Sequence, residues 1–389
     1  MSFRDPFHNS LEIESLLAQA GSRWDDRTGS ISMPIYQVTT FRHPGLGEST
    51  GFDYSRTSNP TRQVLEEVLA TAEGGSKAVA FPSGMAAVDC FLRLFKPGEK
   101  ILVLEDLYGG TWRILESVFR PWGLQIQYIS CEDLEYPERL SRHGQFAGLF
   151  LETPTNPTLK ISNIANAVSL AKSHGAIVAV DNTFLTFCLQ RPLDLGADLV
   201  VYSSSKYLGG HNDVLSGVLV AKTAELGERL AKLQNTTGAV LGPWDSWLLL
   251  RGLKTLPLRL KQQQQNALTI ANWLLSHPAV ADVFYPGLPG HPSHAVHQSQ
   301  ASGAGGMLSF TLRNPAKAAT VLSKVKLWLF AESLGGVESL ITLPVKQTHA
   351  DVPEATRIHL GIVDSLFRLS VGIENAQDLI QDLAQALED

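Results

Sequence analysis

The chain has 389 residues, 44% hydrophobic and 18% charged, with a formal net charge of −6, enough for one large domain and a smaller one with ordinary buried cores. An acidic balance without a basic block argues against nucleic acid or an anionic membrane surface as partner, and no run approaches the ~20 apolar residues of a membrane span. The three cysteines, Cys90, Cys131 and Cys188, suit neither a disulfide framework nor a zinc site, and the first residues lack a secretory signal pattern, so a reducing cytoplasm is the expected home.

Residues 1–50 show little regular pattern beyond a short helix, and an extended arm would suit them. Val64, Leu65, Val68, Leu69 and Ala72 then fall at helical spacing, and Gly74-Gly75 closes that helix. Short apolar runs at 101–105, 149–152, 177–181 and 198–203 read as strands buried on both faces. Separated by helical stretches, they predict an α/β domain with a mostly parallel sheet covered by helices. A helix beginning near Pro257, with the glutamine run 262–265 as a polar face, leads into a smaller C-terminal α+β domain. Its strands are expected at 306–312 and 366–371, followed by an amphipathic helix from Ala376. The expected division is an arm over 1–50, a large domain over 51–251 and a small domain over 252–389.

Four segments carry candidate chemistry, three of them at strand ends, where parallel α/β sheets bind their ligands. In FPSGMAA (81–87) a strand gives way at Gly84 to an alanine-rich helix, whose N-terminal N–H groups suit a phosphate, although such turns are common without one. In VDNTF (180–184), Asp181 ends an apolar strand, where a carboxylate needs a positive partner, a helix cap or a metal. In VYSSSKYLGGHND (201–213), Lys206 follows a buried strand between hydroxyls and Gly209-Gly210. It is either a nucleophilic amine, with Ser203 and Ser205 turned to one anion, or a solvated lysine in a serine-rich loop. In LFRLSVGIE (366–374), Arg368 sits among apolar neighbours and requires an anion, a substrate carboxylate or a structural carboxylate. Together these are the parts of a pyridoxal phosphate (PLP) enzyme acting on amino acids. His291, His294 and His297 have metal-like spacing, but histidines at a helix start are usually polar surface, and no metal is expected.

The strings GFDYSRTSNPTR, PSGMAA, DLYGGT, ETPTNP, VDNTF, SSSKYLGGHND, DSWLLLRGLKTL, AESLGGVESL and RLSVGIE run nearly the length of the chain. With them the sequence resembles the Cys/Met-metabolism (transsulfuration) PLP family, and is most similar to its bacterial cystathionine γ-synthase/O-acetylhomoserine thiolyase branch. The resemblance implies the aspartate-aminotransferase-like fold (fold type I). It implies Lys206 as the Schiff-base lysine and proton shuttle, Asp181 as partner of the pyridine nitrogen, and Tyr108 stacked on the ring. Gly84, Met85, Ser203 and Ser205 would hold the phosphate, with Tyr54 and Arg56 reaching the cofactor of an adjacent subunit in a homotetramer. Asn156, Ser333 and Arg368 would orient cofactor and substrate carboxylate, and the acids Glu332 and Asp53 would face the far end of the substrate.

The implied reaction is γ-replacement on an O-acylhomoserine by cysteine or sulfide, giving cystathionine or homocysteine. Cystathionine γ- or β-lyase activity is the alternative, with methionine γ-lyase behind it. Two departures from the family pattern bear on substrate choice: Leu343 in LPVKQTH stands where many relatives carry His, and Cys188 where Pro is frequent.

Overall fold

The computed structural model describes residues 11–136, 139 and 142–388. Twelve strands run in chain order among the described residues: β1 Lys77–Phe81, β2 Lys100–Leu104, β3 Gln125–Ile129, β4 Gly148–Glu152, β5 Ile177–Asp181, β6 Leu199–Tyr202, β7 Gly217–Ala221, β8 Val280–Phe284, β9 Met307–Leu312, β10 Leu329–Phe330, β11 Leu340–Thr342 and β12 Leu366–Ser370. The chain divides into two compact units, Met1–Leu94 with Asp198–Pro257, and Phe95–Ala197 with Leu258–Asp389.

In the first unit a short helix, Ile13–Ala18, is followed by a segment without helix or strand as far as Asn59, apart from an isolated Thr40–Tyr54 bridge. The expected arm thus has the predicted lack of pattern from residue 11 onward; its first ten residues lie outside the described ones. The helix expected around residues 64–72 runs from Pro60 to Glu73 and buries Val64, Leu65, Val68, Leu69 and Ala72. Pro60 occupies its first turn, Asn59 accepts the N–H of Thr61 to cap it, and Gly74 ends it with φ +77°, a left-handed conformation natural to glycine. The strands of this unit lie in the order β1-β7-β6, and both pairings are antiparallel. The sequence reading found β6 and, just ahead of Gly84, the end of β1, but not β7. KAVAF and GVLVA are apolar runs of five residues each, without alternation, and periodicity alone cannot separate such runs from buried helix.

In the second unit the order β5-β4-β2-β3 is parallel throughout, as expected for the buried runs of β2, β4 and β5; β3, partly exposed, was not among the expected strands. Leu149, Leu151, Val178 and Val180 pack there against Ile164, Ala167, Val168 and Ala171 of the helix Ile164–Lys172. A second sheet of five strands, β10-β11-β12-β9-β8, is antiparallel except between β10 and β11. Its core includes Trp328 and the stacked pair Phe310–Phe367, with centroids 5.3 Å apart. The terminal helix Ala376–Leu387 buries Leu379, Ile380, Leu383, Ala386 and Leu387, the apolar stripe that predicted it. The glutamine run is not a uniform polar face: Gln263 is fully buried and donates to the carbonyl of Gly336 at 2.7 Å. A buried amide of this kind is invisible to polarity patterns because its partner lies far along the chain.

Asp382, on the terminal helix, accepts the N–H groups of Lys326 (2.9 Å), Leu327 (2.7 Å) and Trp328 (2.9 Å). Burial alone would raise its pKa, but these three N–H groups and Gln385 outweigh it and hold the carboxyl below its usual value. A depressed carboxylate contributes stability above its unfolded pKa of 3.8 and loses it as pH falls. Asp382→Asn is therefore expected to lose about 2 kcal/mol in urea unfolding at pH 7, with the difference from wild type shrinking below pH 4.

Candidate functional site

In the first unit the segment after β6 meets the start of the helix Gly84–Leu92. Ser83 caps that helix by accepting the N–H of Ala86 at 3.1 Å, and the first-turn N–H groups of Gly84 and Met85 precede any intrahelical bond. A Cβ on Gly84 would lie 2.8 Å from Cβ of Ser203 and 3.0 Å from its Cα. A Cβ on Gly217 would lie 2.1 Å from the carbonyl oxygen of Ser83. Only bare backbone fits at these two places, so Ser203 is brought directly onto a helix N-terminus. Gly84→Ala should cost about 1–3 kcal/mol through overpacking, read by urea unfolding.

Lys206 is half-buried on the turn that follows. Its N–H donates to Ser203 O at 3.1 Å, Gly209 N to Ser204 O at 2.9 Å, and Gly210 N to Lys206 O at 2.7 Å. A Cβ on Gly252 would lie 2.3 Å from Gly209 O, so the helix Pro243–Leu253 presses against this turn. The Ser205 hydroxyl donates to Ser216 O at 3.0 Å and accepts Ser216 N at 2.8 Å; its proton is engaged in bracing the turn. Tyr54 and Arg56 are exposed, with the guanidinium 5.7 Å from the Tyr54 ring centroid and Nε 3.2 Å from Asn235 Oδ1. Exposed Asp53 accepts the Ser49 hydroxyl at 2.9 Å and lies 3.6 Å from His43.

In the second unit Asp181 ends β5, in register with Glu152 at the end of β4. Burial drives the Asp181 carboxyl up to about 6, although hydrogen bonds from the Thr183 hydroxyl and from its N–H, at 3.0 Å, oppose the rise. Glu152 is raised further, first by its own burial and then by the neighbouring Asp181. Its two oxygens accept the N–H of Tyr108 at 3.0 Å and of Asn156 at 2.9 Å. One buried acid thus joins the turn after β2 to the loop after β4. Asn156 Oδ1 accepts Arg368 Nη1 at 3.0 Å, while Nη2 donates to Ser333 O at 2.8 Å and Thr342 Oγ1 at 3.3 Å. Arg368 stands mid-strand on β12, facing Thr342 on β11 and Ser309 on β9, and is 1% exposed. Ser333 adopts φ +88°, strained for a residue with a side chain; Glu332 beside it is exposed. Tyr108, before the helix Gly109–Ile114, is 41% exposed.

Nine of the residues proposed from sequence gather as two sets: Gly84, Met85, Ser203 and Lys206 in the first unit, and Tyr108, Asn156, Asp181, Ser333 and Arg368 in the second; Ser205 spends its hydroxyl on Ser216, and Asp53, Tyr54, Arg56 and Glu332 are exposed. The sequence reading missed Glu152, Asp106 and His349. Glu152 had a signal, an acid at the end of an apolar strand, the same pattern that singled out Asp181. Asp106 is buried and accepts the hydroxyls of Thr155 and Thr158; nothing local distinguishes it from a surface acid.

His291, His294 and His297 each spend a ring nitrogen on a backbone carbonyl, those of Leu159, Pro286 and Gly303. No group of three or more His, Cys, Asp or Glu side chains among the described residues is placed to hold a metal ion. Cys90, Cys131 and Cys188 are free thiols. No helix among the described residues is long and apolar enough to cross a membrane.

Residues 14–388 match the model of the family described as Cys/Met metabolism PLP-dependent enzyme. A Bacillus subtilis protein named cystathionine γ-synthase/O-acetylhomoserine (thiol)-lyase is 48% identical over 97% of this chain and 97% of its own. A cystathionine γ-lyase of the same organism is 46% identical over 97% of this chain and 100% of its own. The crystal structure of cystathionine γ-synthase from Xanthomonas oryzae, in complex with aminoacrylate and cysteine, superposes with a TM-score of 0.94 at 39% identity, covering 97% of this chain and 98% of that one.

The cofactor of the family is pyridoxal phosphate, and the residues present fit it. It carries a phosphate dianion, a basic ring nitrogen and an aldehyde. The first unit offers a helix N-terminus at which any side chain on Gly84 would collide with Ser203, and the amine of Lys206. The second offers Asp181, whose raised pKa marks a carboxylate short of positive charge and suited to a protonated ring nitrogen. The chain belongs to the Cys/Met metabolism PLP-dependent enzyme family: it is a pyridoxal phosphate enzyme of fold type I, with relatives named cystathionine γ-synthase and cystathionine γ-lyase.

Proposed function

We propose that the enzyme catalyses γ-replacement on an O-acylhomoserine, with cysteine or sulfide as the incoming nucleophile and cystathionine or homocysteine as product. The observation that carries an amino-acid substrate is the buried guanidinium of Arg368, held by Asn156 Oδ1, Ser333 O and Thr342 Oγ1. A cation fixed this firmly in a strand supplies the positive charge that a substrate carboxylate needs. Because Asn156 Oδ1 already accepts from Arg368, that side chain offers its NH2 as donor.

Bound PLP supplies an electron sink that makes removal of protons from substrate carbons accessible. Lys206 is assigned the proton moves, taking the Cα proton and then a Cβ proton and returning them after exchange. Tyr108, partly exposed at its turn, exchanges protons with the substrate amine. Loss of the Cβ proton lets the acyl group leave from Cγ as a carboxylate. The sulfur then adds at Cγ, its proton leaves with the departed carboxylate, and Lys206 returns a proton to Cβ. Ser203, Gly84 and Met85 hold the phosphate, with Ser205 bracing their turn through Ser216.

Glu332, an exposed acid next to Ser333, is assigned to attract the ammonium group of cysteine or the distal end of cystathionine, which serves addition and elimination alike; Asp53 is assigned the same role, and an acid there supports addition. Elimination is the second reading, supported by the 46% identity to a protein named cystathionine γ-lyase. Product analysis with O-acetyl-, O-succinyl- and O-phosphohomoserine, each with cysteine or sulfide, tests the choice. Keto acid and ammonia from cystathionine, with no thioether from any acyl donor, would overturn γ-replacement.

We further propose a cytoplasmic homotetramer in which Tyr54 and Arg56 reach a neighbouring subunit's cofactor, and a functional division into arm (1–50), large (51–251) and small (252–389) domains. Exposed Ile31, Leu46 and Trp244 give the first unit apolar surface suited to a second copy. Light scattering coupled to size exclusion measures the state; a monomer with full activity would exclude the shared site.

A further inference from the structure

We propose that His349 is a positioning residue that sets Tyr108 and Asn156 in register with each other by bridging the backbone carbonyls of Leu107 and Asn156. The inference rests on the assignment of Tyr108 and Asn156 to substrate chemistry. His349 Nε2 lies 3.3 Å from Leu107 O and 3.1 Å from Asn156 O, and Nδ1 lies 2.9 Å from the Thr348 hydroxyl. The residue is 1% exposed. Burial, reinforced by Arg368, pushes its pKa down to about 4, so the ring is neutral at working pH and carries one N–H. With the Thr348 hydroxyl donating to Nδ1, that hydrogen sits on Nε2 and is shared between the two carbonyls.

The two carbonyls belong to the two segments that Glu152 joins from the other side through the N–H groups of Tyr108 and Asn156. Asn156 is thereby fixed at three points: its N–H by Glu152, its carbonyl by His349, and its side chain by Arg368. The turn is also tight against this strap, since a Cβ on Gly109 would lie 2.2 Å from Thr348 O. Arg113 pairs with Asp351 at 2.6 Å and His359 with Glu105 at 3.3 Å, tying the chain around Leu107 to the stretch that follows His349. Those outer pairs are exposed and weak; the buried imidazole is the part that defines position.

His349→Leu removes the only N–H reaching these carbonyls among the described residues, and His349→Asn is too short to replace it. His349→Gln places an amide N–H near the position of Nε2. In the holoenzyme the Leu and Asn variants are expected to lose about 10²-fold in kcat/KM, the cost of a misplacement near 1 Å. The loss should divide between a lower kcat and a higher KM, and Gln should recover most of it. A merely structural role would lower the active fraction, reducing apparent kcat with KM unchanged. Amides of Gly109–Trp112 should exchange faster in the Asn variant than in the Gln variant. Tyr108→Phe and Asn156→Ala are measured alongside. If these two keep wild-type kinetics, the site assignment itself fails. If they are impaired while His349→Asn and His349→Gln are equally active, or KM stays fixed, the positioning role is overturned. Should the Leu variant fail to fold, the Asn–Gln comparison decides alone.

Discussion

Replacing Lys206 with Ala is expected to lower turnover by about 10⁴-fold or more, because the same amine is asked to move every proton at the substrate carbons. The wild-type holoenzyme should show a visible absorption band that borohydride bleaches, fixing the cofactor to the peptide that contains Lys206; the Ala variant should retain cofactor without covalent fixation. Lys206→Arg separates charge from proton transfer. It keeps a cation on the turn after β6, but a guanidinium cannot give up its proton near neutral pH, so activity should stay as low as in the Ala variant. The turn itself should survive both changes, since its bonds from Lys206 N to Ser203 O and from Gly210 N to Lys206 O are backbone bonds. Borohydride fixation persisting in Lys206→Ala would sink the assignment.

Much of this site was legible because its residues sit at discontinuities of pattern. Asp181 ends an apolar strand, Gly84 opens a helix, and Arg368 interrupts an apolar run; each is chemically out of place where it stands, and that is visible locally. Lys206 was ambiguous by the same reasoning, since a lysine in a serine-rich loop is ordinary, and only the order of the neighbouring strings distinguished it. What stayed hidden depends on pairings distant in sequence. His349 acts on residues 107 and 156, and nothing within its own segment marks it as buried. Gln263 satisfies a carbonyl at residue 336, while its place in a glutamine run suggested solvent. Strand β7, GVLVA, is buried throughout and lacks alternation, and its five apolar residues do not by themselves separate strand from buried helix. Polar residues buried by tertiary partners are thus the class that pattern reading misses.

Asp181→Asn is expected to stabilise the apo-protein and cripple the holoenzyme. Burial raises the folded-state pKa of Asp181 from 3.8 to about 6. A carboxyl whose folded pKa is raised contributes stability that is fully present below its unfolded pKa and lost as pH climbs through the folded value. Above pH 6 the apo-protein must therefore keep a buried carboxylate in register with Glu152, itself a buried acid. Asn has the same shape, and its Oδ1 can still accept the Thr183 N–H, so the variant loses the charge and one acceptor toward the Thr183 hydroxyl. Its apo form should gain on the order of 2 kcal/mol over wild type at pH 8 and nothing at pH 3.5. In the proposed arrangement the carboxylate of Asp181 holds a proton on the cofactor's ring nitrogen, and the same substitution should lower kcat by about 10²–10³-fold, the usual cost of deleting one preorganised electrostatic partner. Opposite signs for apo stability and turnover distinguish this role from a structural one. A helix cap or a packing acid would lose stability on replacement. An apo-protein destabilised at pH 8, or a holoenzyme with wild-type kcat, would show that Asp181 holds no proton for the cofactor.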